Sequence, residues 1–356
     1  MADAVRTVGI VGGGQLGRML ALAGAGLGLD VGILDPDPDA PAARVAAFNV
    51  VGRYDDADAL ARLAARSDVV TYEFENVAPA VLRNAGRPVH PTPLALEKGQ
   101  DRVEEKRFLR SLGLQTAPFE PVERDADAIA AALERLGGSG ILKTRRLGYD
   151  GKGQVRLPET TPATALEAVG EGALVLEGLV PFEAEISVIG VAGATGMEAY
   201  DPALNVHRDG ILRTSTVPSG QPPSVERTAR EATFAIMRAL GYRGAIGVEF
   251  FIAAGELLVN EFAPRVHNSG HWTDGACIAS QFENHMRAVA GLPLGATTRF
   301  ARARMENLIG TVEPAEPPSA ASRTVLYGKR EARPGRKMGH VTHLAPIASA
   351  GEVERT

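Results

Sequence analysis

Two carboxylates sit at matching places in what read as the arms of one hairpin: Glu249 in Gly247-Val248-Glu249-Phe250-Phe251-Ile252, and Glu261 in Glu256-Leu257-Leu258-Val259-Asn260-Glu261-Phe262. With the turn centred on Gly255, an antiparallel register sets Glu249 directly opposite Glu261 on one face, where like charges repel. Apolar neighbours add a desolvation cost, so something cationic belongs between them. Magnesium suits this, because it is commonly held by one or two carboxylates together with substrate phosphates. Asn260 offers a further oxygen. A slip of one residue would instead leave two separated carboxylates on an exposed edge.

A second pattern is Leu147-Gly148-Tyr149-Asp150-Gly151-Lys152-Gly153-Gln154, which joins two strands rather than a strand and a helix and so is no Walker loop. Its glycines permit positive φ and close backbone approach, which fits a flap closing over a triphosphate, with Lys152 adding charge and Lys143 pointing into the same space. Lysine is scarce: Lys98, Lys106, Lys143, Lys152, Lys329 and Lys337 are the only six among 38 basic residues. Arginine supplies the generic surface charge, so each retained lysine merits inspection as a compact point charge for a phosphate oxygen.

The third pattern is Gly12-x-Gly14-x-x-Gly17 after a strand, with Asp35 at the end of the next strand. Alone it suggests a nicotinamide dinucleotide. Its physics is only that glycines let backbone N–H groups and a helix N-terminus approach an anion, so any phosphorylated ligand would serve, and a tight turn without a ligand has the same appearance.

These residues need elements to position them. Thr7 to Val11 reads as a strand, Arg18 to Gly28 as a helix, Asp30 to Asp35 as a strand, Asp58 to Ser67 as a helix and Asp68 to Glu73 as a strand. That alternation implies a parallel sheet to about residue 95. Helices follow at Asp101 to Leu112, Asp125 to Leu136 and Ser224 to Gly241. Strands are expected at Ala173 to Glu177, Ala184 to Val191 and Gly196 to Ala199, with hairpins over Gly140 to Leu157 and Ala245 to Phe262. Glu313 to Pro318 reads as a linker and Arg333 to Lys337 as a basic turn. At 356 residues, 45% apolar and 23% charged, the chain has room for two or three globular domains, divided here as 1–98, 99–295 and 296–356. A net charge of −5 argues against a nonspecific nucleic-acid grip. No stretch reads as a secretory signal or membrane span, and the one cysteine, Cys277, excludes an internal disulfide framework. A cytoplasmic protein is expected.

The chain resembles the ATP-grasp superfamily and, within it, the N5-carboxyaminoimidazole ribonucleotide synthetase family of purine biosynthesis. The matching runs are Gly14 to Leu20, Phe74-Glu75-Asn76, Gly148 to Gln154, Asn260 to Thr273 and Arg333 to His340. The resemblance implies an α/β and α+β architecture: an ATP-grasp fold with an N-terminal Rossmann-like pre-ATP-grasp domain and a small C-terminal domain. It also implies ATP, Mg²⁺ with Mn²⁺ as a substitute, bicarbonate and aminoimidazole ribonucleotide as ligands, and a homodimer. Arg102, Lys143 and the flap Gly148, Tyr149, Asp150, Gly151, Lys152, Gly153 and Gln154 would lie at the phosphates, and Glu177, Gly178, Leu179 and Val180 at the adenine. Glu185 would hold the ribose, His207 would lie near the nucleotide, and Asn260 beside Glu261. Glu249 and Glu261 would hold the metal. Tyr149, Asp150, Lys152, Arg265, His267, Asn268 and Lys329 would handle bicarbonate and amine, with His267 transferring protons because its unperturbed pKa of about 6.5 lies near working pH. Gln15, Leu16, Glu75, Asn76, Arg336 and Lys337 would bind the acceptor ribonucleotide. The alternative is a sister ATP-grasp enzyme passing a formyl or glycyl group to another purine precursor.

Overall fold

The computed structural model describes residues 5–147, 153–314 and 317–347. β1 (Thr7–Val11), β2 (Asp30–Asp35), β3 (Phe48–Val51) and β4 (Val69–Tyr72) form a parallel sheet in the order β3-β2-β1-β4. Helices α1 (Gln15–Gly26) and α2 (Ala57–Ala65) pack on it, and Asp56 caps α2 by accepting the N–H groups of Asp58 and Ala59. Helix α1 begins at Gln15 rather than Arg18, directly behind Gly14, so its free N–H groups open onto the carboxyl end of β1. Short helices α3 (Pro79–Arg83) and α4 (Pro93–Gly99) lead to α5 (Arg102–Ser111), capped by Asp101.

A small lobe follows. Strands β5 (Phe119–Val122), β6 (Gly140–Thr144), β7 (Gln154–Leu157) and β8 (Leu174–Gly178) make an antiparallel sheet in the order β5-β8-β6-β7. Helices α6 (Ala126–Arg135) and α7 (Pro162–Ala168) close it over Ile129, Leu142, Leu157 and Leu176. The expected hairpin over Gly140 to Leu157 is β6 and β7; Gly148, Tyr149, Asp150, Gly151 and Lys152 lie outside the described residues.

The large sheet has nine strands: β9 (Ala184–Ala192), β10 (Met197–Ala199), β11 (Ala203–Arg208), β12 (Ile211–Val217), β13 (Gly244–Ala253), β14 (Glu256–Ala263), β15 (Arg302–Ile309), β16 (Ser322–Leu326) and β17 (Lys337–Ala345). Its order is β14-β13-β9-β11-β12-β15-β17-β16, with β10 on β9. Strands β15 to β17, none of which the sequence pattern announced, therefore continue the same sheet through the β12–β15 pairing. Helix α8 (Pro223–Ala239) covers one face, burying Ile236 and Met237 against Ile186, Val188 and Ile246. After β14 come a 3-10 turn at Asn268–Gly270, the single-turn helix α9 (Thr273–Ala276) and α10 (Gln281–Ala290). Phe282, Met286 and Val289 of α10 share one core with Leu16 and Leu20 of α1.

Candidate active site

Glu249 pairs with Glu261 across β13 and β14, by a route different from the one the sequence suggested. The turn is not centred on Gly255. It is a two-residue turn, Ala254 and Gly255, both at positive φ (51° and 79°), the geometry that matches the twist of a hairpin. That turn pairs Phe250 with Val259, and the regular ladder would carry on to Glu249 and Asn260. A bulge between Glu249 and Phe250 absorbs Asn260 as an extra residue and restores Glu249 opposite Glu261. The displaced Asn260 carbonyl accepts a hydrogen bond from Lys106 Nζ at 3.1 Å.

Electrostatics follow from this crowding. Burial, then the Glu261 charge, raise the Glu249 carboxyl to about 7, with Glu185 adding repulsion and His207 and Lys337 opposing it. His207 Nδ1 is hydrogen-bonded to Glu185. Burial works against an imidazolium at His207, but that bond and the nearby Glu249, Glu185 and Glu261 charges outweigh it and raise its pKa. The carboxylate pair thus fits a divalent cation: two like-charged oxygen donors with charge to be neutralised. Among the described residues no cluster of three or more His, Cys, Asp or Glu side chains could hold a metal, so a full protein cage is not on offer.

At the nucleotide end, Glu177 on β8 is buried and bound by two lysines, Lys143 Nζ at 3.0 Å and Lys106 Nζ at 3.5 Å. Burial alone would raise its carboxyl; the lysines, with Arg102 beyond them, hold it down at about 2. Lys143 accordingly points at Glu177, beside Gly178 at the end of the same strand. Arg102, first residue of α5, donates to the Thr144 carbonyl at 3.2 Å. Leu179 continues from β8 with its N–H bound to the Ser139 carbonyl, and Val180 follows half-buried; Gly153 and Gln154 lead into β7.

Behind the hairpin, Arg265 pairs with Glu75 at 2.9 Å. His267 Nε2 lies 3.8 Å from Glu249 Oε1, while Nδ1 meets Ser269 Oγ at 2.8 Å. The expectation of a histidine titrating near 6.5 does not hold: burial, and then the Arg265, Lys337 and His207 charges, push the imidazolium pKa well below that value, so His267 is neutral. Asn268 has both amide atoms buried and without hydrogen-bond partners among the described residues. Lys329 Nζ donates to the Lys337 carbonyl at 2.7 Å and stacks over the Tyr327 ring.

On the acceptor side the glycine turn is filled by the chain's own carboxylates. Gly13 N–H donates to Asp35 Oδ2 at 2.7 Å and Gly14 N–H to Glu73 Oε1 at 2.7 Å. A Cβ on Gly12 or Gly14 would meet Glu73 at 2.7 and 2.8 Å, so these glycines make room for a side chain rather than a pyrophosphate. Tyr54 Oη also donates to Asp35, which leaves that carboxylate turned inward and unable to grip a ribose. At the α1 N-terminus Gln15 is half-buried and Leu16 buried, and no side chain caps the helix. Asn76 is exposed, and Arg336 folds back to donate to the Glu331 carbonyl at 3.0 Å, with Lys337 beginning β17. Lys106, Glu73 and Gln281 were missed as site residues by pattern reading; only Lys106 carried a signal, as one of six lysines.

Three family models match in chain order: a ribonucleotide synthetase preATP-grasp domain over residues 5–100, an ATP-grasp domain over 107–282, and a phosphoribosylaminoimidazole carboxylase C-terminal domain over 303–354. Fold and site together define an ATP-dependent ligase of the ATP-grasp class. The chain is 53% identical over 350 residues to the N5-carboxyaminoimidazole ribonucleotide synthase of Brucella melitensis, covering 96% of both chains. The Thermus thermophilus synthetase structure is 44% identical, with a TM-score of 0.87 over 95% of this chain and 93% of that one. An Aspergillus clavatus synthase solved with ADP and aminoimidazole ribonucleotide is 31% identical, with a TM-score of 0.88 over 96% and 94%. The chain belongs to the N5-carboxyaminoimidazole ribonucleotide synthase family of purine biosynthesis.

Proposed function

We propose that the protein carboxylates aminoimidazole ribonucleotide in two steps, with residues of the β13–β14 hairpin and its surroundings in the roles that follow. The observation that carries this reading is the Glu249–Glu261 pair, a half-buried and an exposed carboxylate set face to face across the hairpin, in a chain 53% identical to a synthase along nearly its whole length.

First, a bicarbonate oxygen attacks the γ-phosphorus of ATP, the bond to ADP breaks, and carboxyphosphate forms. Second, the acceptor's exocyclic amine bonds to the carboxyl carbon, directly or after loss of CO₂, phosphate leaves and the amine gives up a proton. Phosphoryl transfer of this kind calls for positioning and charge neutralisation more than covalent catalysis. Mg²⁺, or Mn²⁺ in its place, held by Glu249 and Glu261 would supply neutralisation at the phosphate oxygens. Lys143 and Arg102 add positive charge, and Glu177 takes the adenine edge beside Gly178, Leu179 and Val180. Glu185, oriented by His207, takes the ribose. Arg265, fixed by Glu75, and the unpartnered amide of Asn268 orient the carboxyl group. Neutral His267 serves as a hydrogen-bonding group there, and Lys329, with Tyr149, Asp150 and Lys152 of the flap, completes the bicarbonate site. The α1 N-terminus, Arg336 and Lys337 receive the acceptor's phosphate, since helix N-termini bind anions. A homodimer in the cytoplasm is the proposed working state.

The test is phosphate release and product formation from Mg-ATP and aminoimidazole ribonucleotide, with and without bicarbonate. The expected result is strict dependence on bicarbonate. Release that ignores bicarbonate and responds to formate would favour the sister formyl-transferring enzyme instead.

A further inference from the structure

The peptide of His267 is held by one side chain from another element. His267 lies past the end of β14 in extended backbone (φ −121°, ψ 149°), outside any strand, so its buried N–H and C=O need partners that the sheet does not provide. Gln281, the first residue of α10 and wholly buried, serves each: Oε1 accepts the His267 N–H at 2.9 Å and Nε2 donates at 2.7 Å to the His267 carbonyl, which also accepts the Gly270 N–H at 3.0 Å. The amide orientation is unambiguous, because an N–H can only donate and a carbonyl only accept. The second Nε2 hydrogen faces His271 Nδ1 at 3.2 Å, and Gln281's own N–H donates to Thr273 Oγ1 at 3.0 Å, which leaves the side chain no other arrangement. The fit is tight on both sides. A Cβ on Gly270 would lie 2.7 Å from Gln281 Oε1, and one on Gly247 would lie 2.4 Å from His267 Cβ. Helix α10 is also the helix that shares its core with α1, whose N-terminus opens beside the glycine turn.

We propose that Gln281 is a positioning residue for the transfer half of the reaction: it sets the His267 ring over Glu249 in register with α1, and so with the acceptor nucleotide. The inference rests on the role given to His267 above. Gln281 is wholly buried against the His267 backbone, so its effect runs through His267.

The experiment uses Gln281→Met, which keeps size and removes both hydrogen bonds, alone and combined with His267→Asn in the full chain. Expected for Gln281→Met is a fall in kcat for carboxylation of roughly 10- to 100-fold, since displacements near 1 Å cost about that much. KM for ATP should stay within about twofold, and less carboxylated product should form per phosphate released. In the His267→Asn background the same change should cost little more, because residues acting as a unit are not additive. Unchanged kcat and product ratio, or an equal fold-loss in both backgrounds, would overturn the inference about Gln281. A fully active His267→Asn would instead remove the role of His267 itself. If Gln281→Met does not fold, Gln281→Glu, which keeps the acceptor and loses the donor, takes its place; failure of both to fold would make Gln281 a structural residue only and end the proposal.

Discussion

Glu249 faces Glu261 across the hairpin only because Asn260 is an extra residue in β14, and the same bulge turns the Asn260 carbonyl to Lys106. One backbone irregularity therefore sets the carboxylate pair and ties it to the lysine that also holds Glu177.

Glu261→Gln is expected to reduce turnover by at least about 100-fold while leaving the circular dichroism spectrum unchanged, since a charge aimed at a phosphate-bound cation acts mainly on the transition state. An active variant with ordinary magnesium dependence would reject the assignment.

Glu249 sets a pH dependence of stability. A carboxyl raised from 4.5 to about 7 in the folded protein is protonated more readily there than in the unfolded chain. Its contribution is intact below pH 4.5 and is lost as pH rises through 7, a swing on the order of 3 kcal/mol. Without metal, Glu249→Gln should thus unfold at higher denaturant than the parent at pH 8 and at similar denaturant at pH 4.5. Equal midpoints at pH 8 would contradict it.

His285 works in the opposite direction. Buried between β4 and β13, it meets Thr71 Oγ1 through Nε2 at 2.9 Å and accepts the Ala245 N–H on Nδ1 at 3.1 Å, and burial lowers its pKa to about 3. His340, also buried, is lowered to about 3. These groups stabilise the fold fully above pH 6.5, and that stability drains away as pH falls from 6.5 towards 3, by up to about 1.4 kcal/mol per pH unit for each histidine. Denaturant titrations between pH 7.5 and 5 should show that slope, and His285→Gln should flatten it.

Lys106→Met should raise KM for ATP roughly tenfold and lower stability by about 2 kcal/mol, because it leaves the buried Glu177 with Lys143 and the more distant Arg102 and takes a donor from the Asn260 carbonyl. Nucleotide titration and thermal unfolding measure the two effects, and an unchanged KM would show that Glu177 is held without Lys106.

The glycine turn should not bind a nicotinamide dinucleotide, because Asp35 and Glu73 already accept its N–H groups. Glu73→Gln, with one acceptor oxygen retained, is expected to leave NAD binding undetectable; tight NAD binding by the parent protein would refute the internal occupancy.

Much of this was legible in local pattern. The βαβ start and the β6–β7 and β13–β14 hairpins each follow from period, turn chemistry and spacing over fewer than about 30 residues. Strands β15 to β17 were not legible, because their partners are set by pairing to β12, about 90 residues away at Thr214↔Glu306. Nor was the bulge, which depends on a two-residue turn at Ala254 and Gly255 that the pattern centres on Gly255. The sequence by itself determined which chemical groups exist and which share a hairpin. Tertiary structure decided their state: burial made His267 neutral and brought Glu73 to the glycine turn, and packing set Gln281 beneath the His267 peptide. Those outcomes are fixed by desolvation and by contacts between distant segments, and neither is written in any short stretch of chain.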